Sequence, residues 1–379
     1  MATYAFASIT DAQALGFSAA SDSLIFESPA SRGNQISVSY RPATSTSAPT
    51  VTLVDPTSGR AVTFGATLGG AGPSAISFAD GSILFVGGTG ADSASGTAQG
   101  DGLFGGAGDD SLAGGPGADV IQGNQGNDTL DGGAGNDTIF GGQGNDSIVG
   151  GAGANVVNGN LGNDTLSGAA GSANTLLGGQ QNDLLIGGAG ADFLNGNLGD
   201  DTIIGGGGAD TVFGEAGNDR ITLGDASSAA DGGSGADTIT GGAGADTITG
   251  GFGADDLRGG GGGDTFQFSV GHSGTTEGSL DRILDWTGGR STGPPDHIAF
   301  AGLASATPTT YLELKAANYG AAKLLADVQI AAGNDYVAVQ IGADVVLFVD
   351  SGSNNGTAED AVVLVGRTLA DIDYTNIIG

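Results

Sequence analysis

The residues of this 379-residue chain with the most chemical potential are aspartates that recur at nine-residue spacing. They are Asp92, Asp101, Asp110, Asp119, Asp128, Asp137, Asp146, Asp164, Asp183, Asp192, Asp201, Asp210, Asp219, Asp237, Asp246, Asp255 and Asp264. Carboxylates at fixed spacing beside glycines offer oxygen ligands and nothing softer. Hard oxygens select Ca²⁺, which takes about six to eight of them in a flexible shell. Mg²⁺ demands a tighter octahedron and holds its waters, so it is the weaker candidate. Stacked at one strand spacing, ~4.8 Å, such carboxylates would repel strongly without a cation between them. The remaining composition narrows the chemistry. Asp plus Glu number 42 against 10 Lys plus Arg, for a formal net charge of −32. That charge repels nucleic-acid phosphates and anionic lipid, so neither is expected as a partner. With no cysteine there is no disulfide, thiolate zinc site or cysteine nucleophile. Two histidines, His272 and His297, are too few for three-histidine zinc chemistry.

The elements that must position these aspartates follow from the same period. Nine-residue units begin at 87 and every ninth residue to 168, then, after one inserted residue, at 178 and onward to 259. GGAGNDTIF (132–140), GGQGNDSIV (141–149) and GGAGADTIT (241–249) carry the pattern G-G-x-G-x-D-x-U-x, with U large and apolar. Position eight is large and apolar in 18 of 20 units, Ala94 and Ala230 being the exceptions. One apolar residue per nine cannot make a helix face. It can supply one inward side chain per short strand, stacked rung upon rung. Glycines permit positive φ in the turns between strands. The 77 glycines do not fall at every third residue, which excludes collagen. LGDASSAAD (223–231) has lost the motif but kept the length, and reads as a degenerate rung.

The pattern resembles the RTX (repeats-in-toxin) nonapeptide over residues 87–267, about half the chain. The resemblance implies an all-β fold built on a parallel calcium-binding β-roll. In that fold two units make one turn, and turn carbonyls and Asp carboxylates of successive turns on one edge share each ion. Roughly 10–17 ions would fit the Asp rows. Sorting units by parity then puts Asp in every unit of a first edge, from Asp92 to Asp255. All three losses, Asn155, Asn174 and Ser228, fall on the second edge. The first edge is also the bulkier, with Gln125, Gln143, Leu161, Gln180, Leu198 and Phe252 at position three. It carries Asn124, Asn160, Asn197 and Glu215 at position two. Drift at exposed turns or different neighbours would each account for this.

The flanks differ from the array. Residues 1–86 read as a small β module of short strands at 23–27, 35–41, 50–55, 61–68 and 75–86, the last feeding the first rung. Pro29, Pro42, Pro49, Pro56 and Pro73 fall between or beside these strands, as turn residues. Residues 268–379 read as a β-rich cap with a short helix. DRILDW (281–286) and DHIAFAGL (296–303) resemble segments that follow RTX arrays in secreted exoproteins. Residues 312–332 have helix-forming composition interrupted by Gly320, and 335–350 a hairpin turned at Gly342-Ala343. The resemblance further implies a C-terminal signal for the type I secretion apparatus. This fits an N-terminus with no basic, apolar secretory leader and a chain with no ~18-residue apolar span.

Catalytic motifs are not found. H-E-x-x-H and G-x-S-x-G are missing, and GHSG (271–274) follows no strand–helix elbow. Asp11, Asp22, Glu27, Asp55 and Asp80 could pair as glycosidase carboxylates but read better as surface or turn residues. The expectation is a non-enzymatic, secreted calcium-binding structural protein that self-assembles as a homopolymer in an extracellular fibre, layer or matrix. The alternative is a calcium-dependent adhesin that binds cell-surface glycan, and more remotely a hydrolase.

Overall fold

The structure is a computed structural model. It describes residues 3–5, 23–25, 35–41, 50–55, 60–65, 78, 80–169, 172–269, 271–287, 294–301, 303–307, 311–350, 357–372 and 374–378. The five prolines named above, with Asp11, Asp22 and Glu27, lie outside the described residues. The chain divides into two compact units, Met1–Ala189 and Gly190–Gly379.

In the first unit, Thr3–Ala5 pairs in parallel with Ser23–Ile25. Ser37–Arg41, Thr50–Asp55 and Arg60–Gly65 form an antiparallel three-stranded sheet. The expected strand over 75–86 is shorter, Leu84–Val86, because the chain turns at Asp80-Gly81, where Gly81 has φ 92°. Leu84–Val86 pairs in parallel with Gly102–Ala107 and so opens the solenoid as expected. From there the chain builds two stacks of parallel strands. Within a stack, residues 18 apart are partners: Leu103, Ile121, Ile139 and Val157 form one inward column, and Leu112, Leu130, Ile148 and Leu166 the facing one. Every one of these side chains is at most 1% exposed. The residues on either side point outward, as the strand period of two requires. The inserted residue does not break the column, for Val157 still pairs with Leu176.

The second unit repeats this construction. The stretch 223–231 is a rung: Ala230 sits between Val212 and Ile248 in the column and is 4% exposed. Two rungs follow a different sequence. Asp281–Ile283 stacks in parallel on Asp256–Gly260, and His297–Phe300 on Thr265–Phe268. Asp360–Leu364 then adds in parallel to Asp281–Ile283. It pairs antiparallel with Asp344–Val349, which forms the expected hairpin with Tyr336–Ile341. Tyr311–Ala316 lies parallel to Tyr336–Ile341, connected by the helix Tyr319–Ile330. Helix-forming composition over 312–332 predicts that 312–316 belong to the helix. The alternation through Leu312, Glu313, Leu314 and Lys315 is instead a strand, and Gly320 sits in the first helical turn without interrupting it. Asn318 starts the helix by accepting a hydrogen bond from the Ala321 N–H. Ala322, Ala326 and Ile330 pack on Val337, Val339, Phe348 and Leu280.

Candidate metal centres

The sequence-derived aspartates gather into columns at the turns. In the first unit one edge carries Asp92, Asp110, Asp128, Asp146, Asp164 and Asp183, and the other Asp101, Asp119 and Asp137. In the second unit the columns are Asp201, Asp219, Asp237 and Asp255, and Asp192, Asp210, Asp246 and Asp264. All but Asp92 are at most 3% exposed, which for a carboxylate is costly unless its charge is compensated.

Half of each carboxylate is accounted for by the backbone. Along a column the N–H of one aspartate donates to Oδ1 of the residue at the same position one turn further on, as from Asp110 to Asp128, Asp128 to Asp146 and Asp219 to Asp237, at 2.7–2.8 Å. The other oxygen is not. Oδ2 of Asp110, Asp119, Asp128, Asp137, Asp146, Asp164, Asp210, Asp219, Asp237, Asp246, Asp255 and Asp264 is buried with no hydrogen-bond partner. It presses against the first glycine of its own unit. A Cβ on Gly123 would collide with Oδ2 of Asp128, so this glycine is required by the carboxylate rather than by its φ. The fourth position is glycine for a different reason: Gly135 has φ 142° and lies against the turn of the preceding rung. Burial, reinforced by carboxylate neighbours against the lowering effect of the backbone N–H, pushes Asp110 and Asp264 up to about 6 and Asp119, Asp146 and Asp237 to about 7.

The three positions that lack Asp reveal what faces Oδ2. Asn155 keeps the ladder, accepting the Asp137 N–H through Oδ1 at 2.9 Å. Its Nδ2 donates to the carbonyls of Gly151 and Gly153, at 3.3 and 3.4 Å. Asn174 accepts from Asn155, and its Nδ2 donates to the carbonyls of Ser172 and Gly187. Ser228 accepts from Asp210 and directs its hydroxyl toward the carbonyls of Ala226 and Gly208. Each neutral side chain thus supplies a donor to a ring of turn carbonyls. At the first aspartate of each column in the first unit a backbone N–H still reaches Oδ2, from Gly88 to Asp92 and from Thr97 to Asp101. At aspartates such as Asp119, Asp128 and Asp137 no donor does, and an unpaired carboxylate oxygen is the ligand a hard cation needs. Among the described residues no three Asp, Glu or His side chains come together so that they alone could hold a metal ion. Each ion would be held by carboxylates and turn carbonyls together.

Several features were not visible in the sequence. Asp281 and Asp296 continue the two ladders beyond the motif, accepting the N–H groups of Asp255 and Asp264, both at 3.0 Å. Their spacings, 26 and 32 residues, hide them from a search by period. The signal that remains is the half-motif Asp-x-Ile in Asp281-Arg282-Ile283 and Asp296-His297-Ile298. An outer ladder also runs along the first edge at position five, in the opposite sense: Asn127 N–H donates to Asp109, Asn145 to Asn127 and Asn163 to Asn145. The second-position residues Asn124, Asn160, Asn197 and Glu215 all have φ between 73 and 80°, which asparagine tolerates better than most. Elsewhere, the His272 ring lies 3.9 Å from that of Phe252. Ser273 donates to the Ala361 carbonyl from a buried position. His297 opens a strand stacked on Thr265.

Comparison with known proteins agrees with this geometry. The family model described as the RTX calcium-binding nonapeptide repeat matches residues 86–121, 113–148, 140–172, 169–203, 195–226 and 231–266. The array is therefore an RTX array, of the calcium-binding type. No curated protein sequence matches the chain. Among solved structures, the AlgE6R3 subunit of the Azotobacter vinelandii mannuronan C5-epimerase is 24% identical, covering 50% of this chain and 80% of that one, with a TM-score of 0.22. The extracellular lipase LipA of Serratia marcescens is 18% identical, covering 66% of this chain and 40% of that one, with a TM-score of 0.23. At these TM-scores neither likeness bears on function.

Proposed function

We propose that this chain is a secreted calcium-binding structural protein whose roll folds when calcium is available outside the cell. The observation that carries this reading is the columns of buried carboxylates in which Oδ2, as at Asp110, Asp128, Asp146, Asp219 and Asp237, has no hydrogen-bond donor. The ligands are the 17 aspartates of the repeat array, Asp92 to Asp264. About 16 divalent ions would cancel the formal charge of −32. Before calcium binds, repulsion among the carboxylates keeps the array unfolded, a state compatible with type I export. Binding free energy then becomes folding free energy. Circular dichroism in EGTA and in millimolar calcium tests this: strand signal should appear only with calcium, and equal signal would refute it.

The assembly part of the reading rests on exposed apolar surface. Leu198 and Phe252 at the first edge are 53% and 57% exposed, and Leu324 and Val328 on the helix 67% and 57%. Such surface in a strongly anionic chain favours contacts between copies once calcium has reduced the charge. Sedimentation at millimolar calcium should give species larger than a monomer, and a single monomer would refute assembly. A glycan-binding role has one feature in its favour. A cavity of about 690 Å³ is lined by Asp256, Glu277, Arg282, Asn318 and Asp344 over an apolar floor of Leu280 and Val346. Binding on a glycan array, lost in Arg282→Ala, would favour that role.

A further inference from the structure

The calcium row of the first edge ends, by its motif, at Asp255. We infer that one more ion site lies beyond it, between Asp255 and Asp281, and that this ion fastens the C-terminal sheet and helix to the last repeat. The inference rests on the calcium reading of the roll and extends it to a residue outside the repeat.

Asp281 takes the place of a motif aspartate in the ladder. It is 0% exposed, its Oδ1 accepts the Asp255 N–H at 3.0 Å, and its Oδ2 is buried with no partner. The strand it begins is in register with the roll, with Arg282 beside Asp256 and Ile283 beside Leu257. Asp296, at the end of the other row, is different. Its Oδ1 accepts from Asp264 at 3.0 Å and its Oδ2 from the Thr287 N–H at 2.6 Å. That carboxylate is satisfied by hydrogen bonds and closes its ladder. Asp281 leaves an anionic oxygen without a donor, in the place where Asn155 puts an N–H₂. A cation supplies what is missing there, as a proton held between the Asp281 and Asp255 carboxylates also could, and the ion count below separates the two.

The segment leading into Asp281 is tied to the C-terminal strands on every side. Gly271 N–H donates to both oxygens of Asp360, at 2.8 and 3.0 Å. Ser273 Oγ donates to the Ala361 carbonyl at 2.8 Å, and the Ala361 N–H to the Gly274 carbonyl at 3.0 Å. Tyr319, in the first turn of the helix, donates its hydroxyl to the Thr275 carbonyl at 2.7 Å. Asp281 itself pairs with Val362. An ion at Asp255 and Asp281 would therefore be the last link of the row and the first link of the cap. Folding of the strands Tyr336–Ile341, Asp344–Val349 and Asp360–Leu364 would follow the calcium that occupies it.

The test uses the full chain and calcium alone. Asp281→Asn keeps the acceptor for the Asp255 N–H, as Asn155 does for Asp137, and removes the anionic oxygen. Native mass spectrometry should count one ion fewer than in the parent protein. Hydrogen exchange at 336–349 should need at least about tenfold more calcium for half protection, while the rungs at 129–149 keep their midpoint. Asp255→Asn, the second variant, should lose at least one ion and shift the same segment. Asp225→Asn, an exposed acid on the degenerate rung, should change neither. An unchanged ion count and midpoint in Asp281→Asn, with the roll still binding calcium, would overturn this inference alone. A parent protein that binds no calcium would overturn the reading of the roll with it.

Discussion

The two edges of the first unit solve the same hydrogen-bonding problem with different charge. On one edge the ladder runs through Asp92, Asp110, Asp128, Asp146 and Asp164 without a neutral member. On the other it runs through Asp101, Asp119 and Asp137 and then passes to Asn155 and Asn174. The backbone does not register the change, because Oδ1 of asparagine accepts an N–H as well as Oδ1 of aspartate. What changes is the second atom, from an orphaned anionic oxygen to an amide donor that holds turn carbonyls. The contrast separates two functions of one side chain: the first oxygen joins rung to rung, and the second calls for a cation. A rung can therefore lose its ion without losing its place in the stack.

The largest effect that would break this comparison is removal of calcium. With EGTA the aspartate rows should lose their strand signal cooperatively, and hydrogen exchange should be fast at 102–149. Protection there unchanged by EGTA would mean that the orphaned oxygens need no cation. The next effect is steric. Gly123→Ala drives a methyl into Asp128 Oδ2 and the backbone beside Gly141. It should cost roughly 1–3 kcal/mol, the range for overpacking, and lower calcium affinity at that turn. Calcium-dependent melting would check both, and a melting temperature equal to the parent's would count against the packing described.

A smaller effect comes from exchanging the edges. Asp128→Asn should give a roll that binds fewer ions while the rung keeps its place in the stack, since an amide oxygen can still accept the Asp110 N–H. Asn155→Asp should do the reverse, gaining ion capacity and losing residual structure in EGTA. Calcium titration by calorimetry would sharpen the comparison. Unchanged stoichiometry in both variants would erase it.

The smallest expected effect is on pH. The buried aspartates have folded-state pKa values above the unfolded value, as with Asp119 and Asp146 at about 7. Such groups favour the fold when protonated. Their contribution is fully present below the unfolded pKa of 3.8 and is lost as pH rises through about 6–7. In EGTA, acidification from pH 8 to 5 should therefore recover part of the strand signal. With calcium, the same protons compete with the ion, and affinity should fall over that range.

The sequence made the roll legible because its period is set by physics that leaves a residue at every step. The inward residue recurs in every rung and the φ-positive glycine and the buried carboxylate in most, and LGDASSAAD kept its length because Ala230 still had to occupy the column. Where the period ends, so does legibility. Asp281 and Asp296 belong to the same ladders, but expanded turns separate them from their neighbours. The strand at 311–316 was hidden by helix-forming composition, since its conformation is decided by pairing with Tyr336–Ile341 rather than by local preference. The outer asparagine ladder could have been seen in Asn127, Asn145 and Asn163, but its direction depends on backbone geometry that spacing alone does not contain.

The most direct test of the central claim is an anomalous difference map from crystals grown with calcium. Peaks should follow the aspartate columns, between successive carboxylates such as Asp110 and Asp128, and be missing beside Asn155, Asn174 and Ser228, where amide or hydroxyl groups already hold the carbonyls. Peaks of equal height beside those three residues, or none beside the aspartates, would contradict the account.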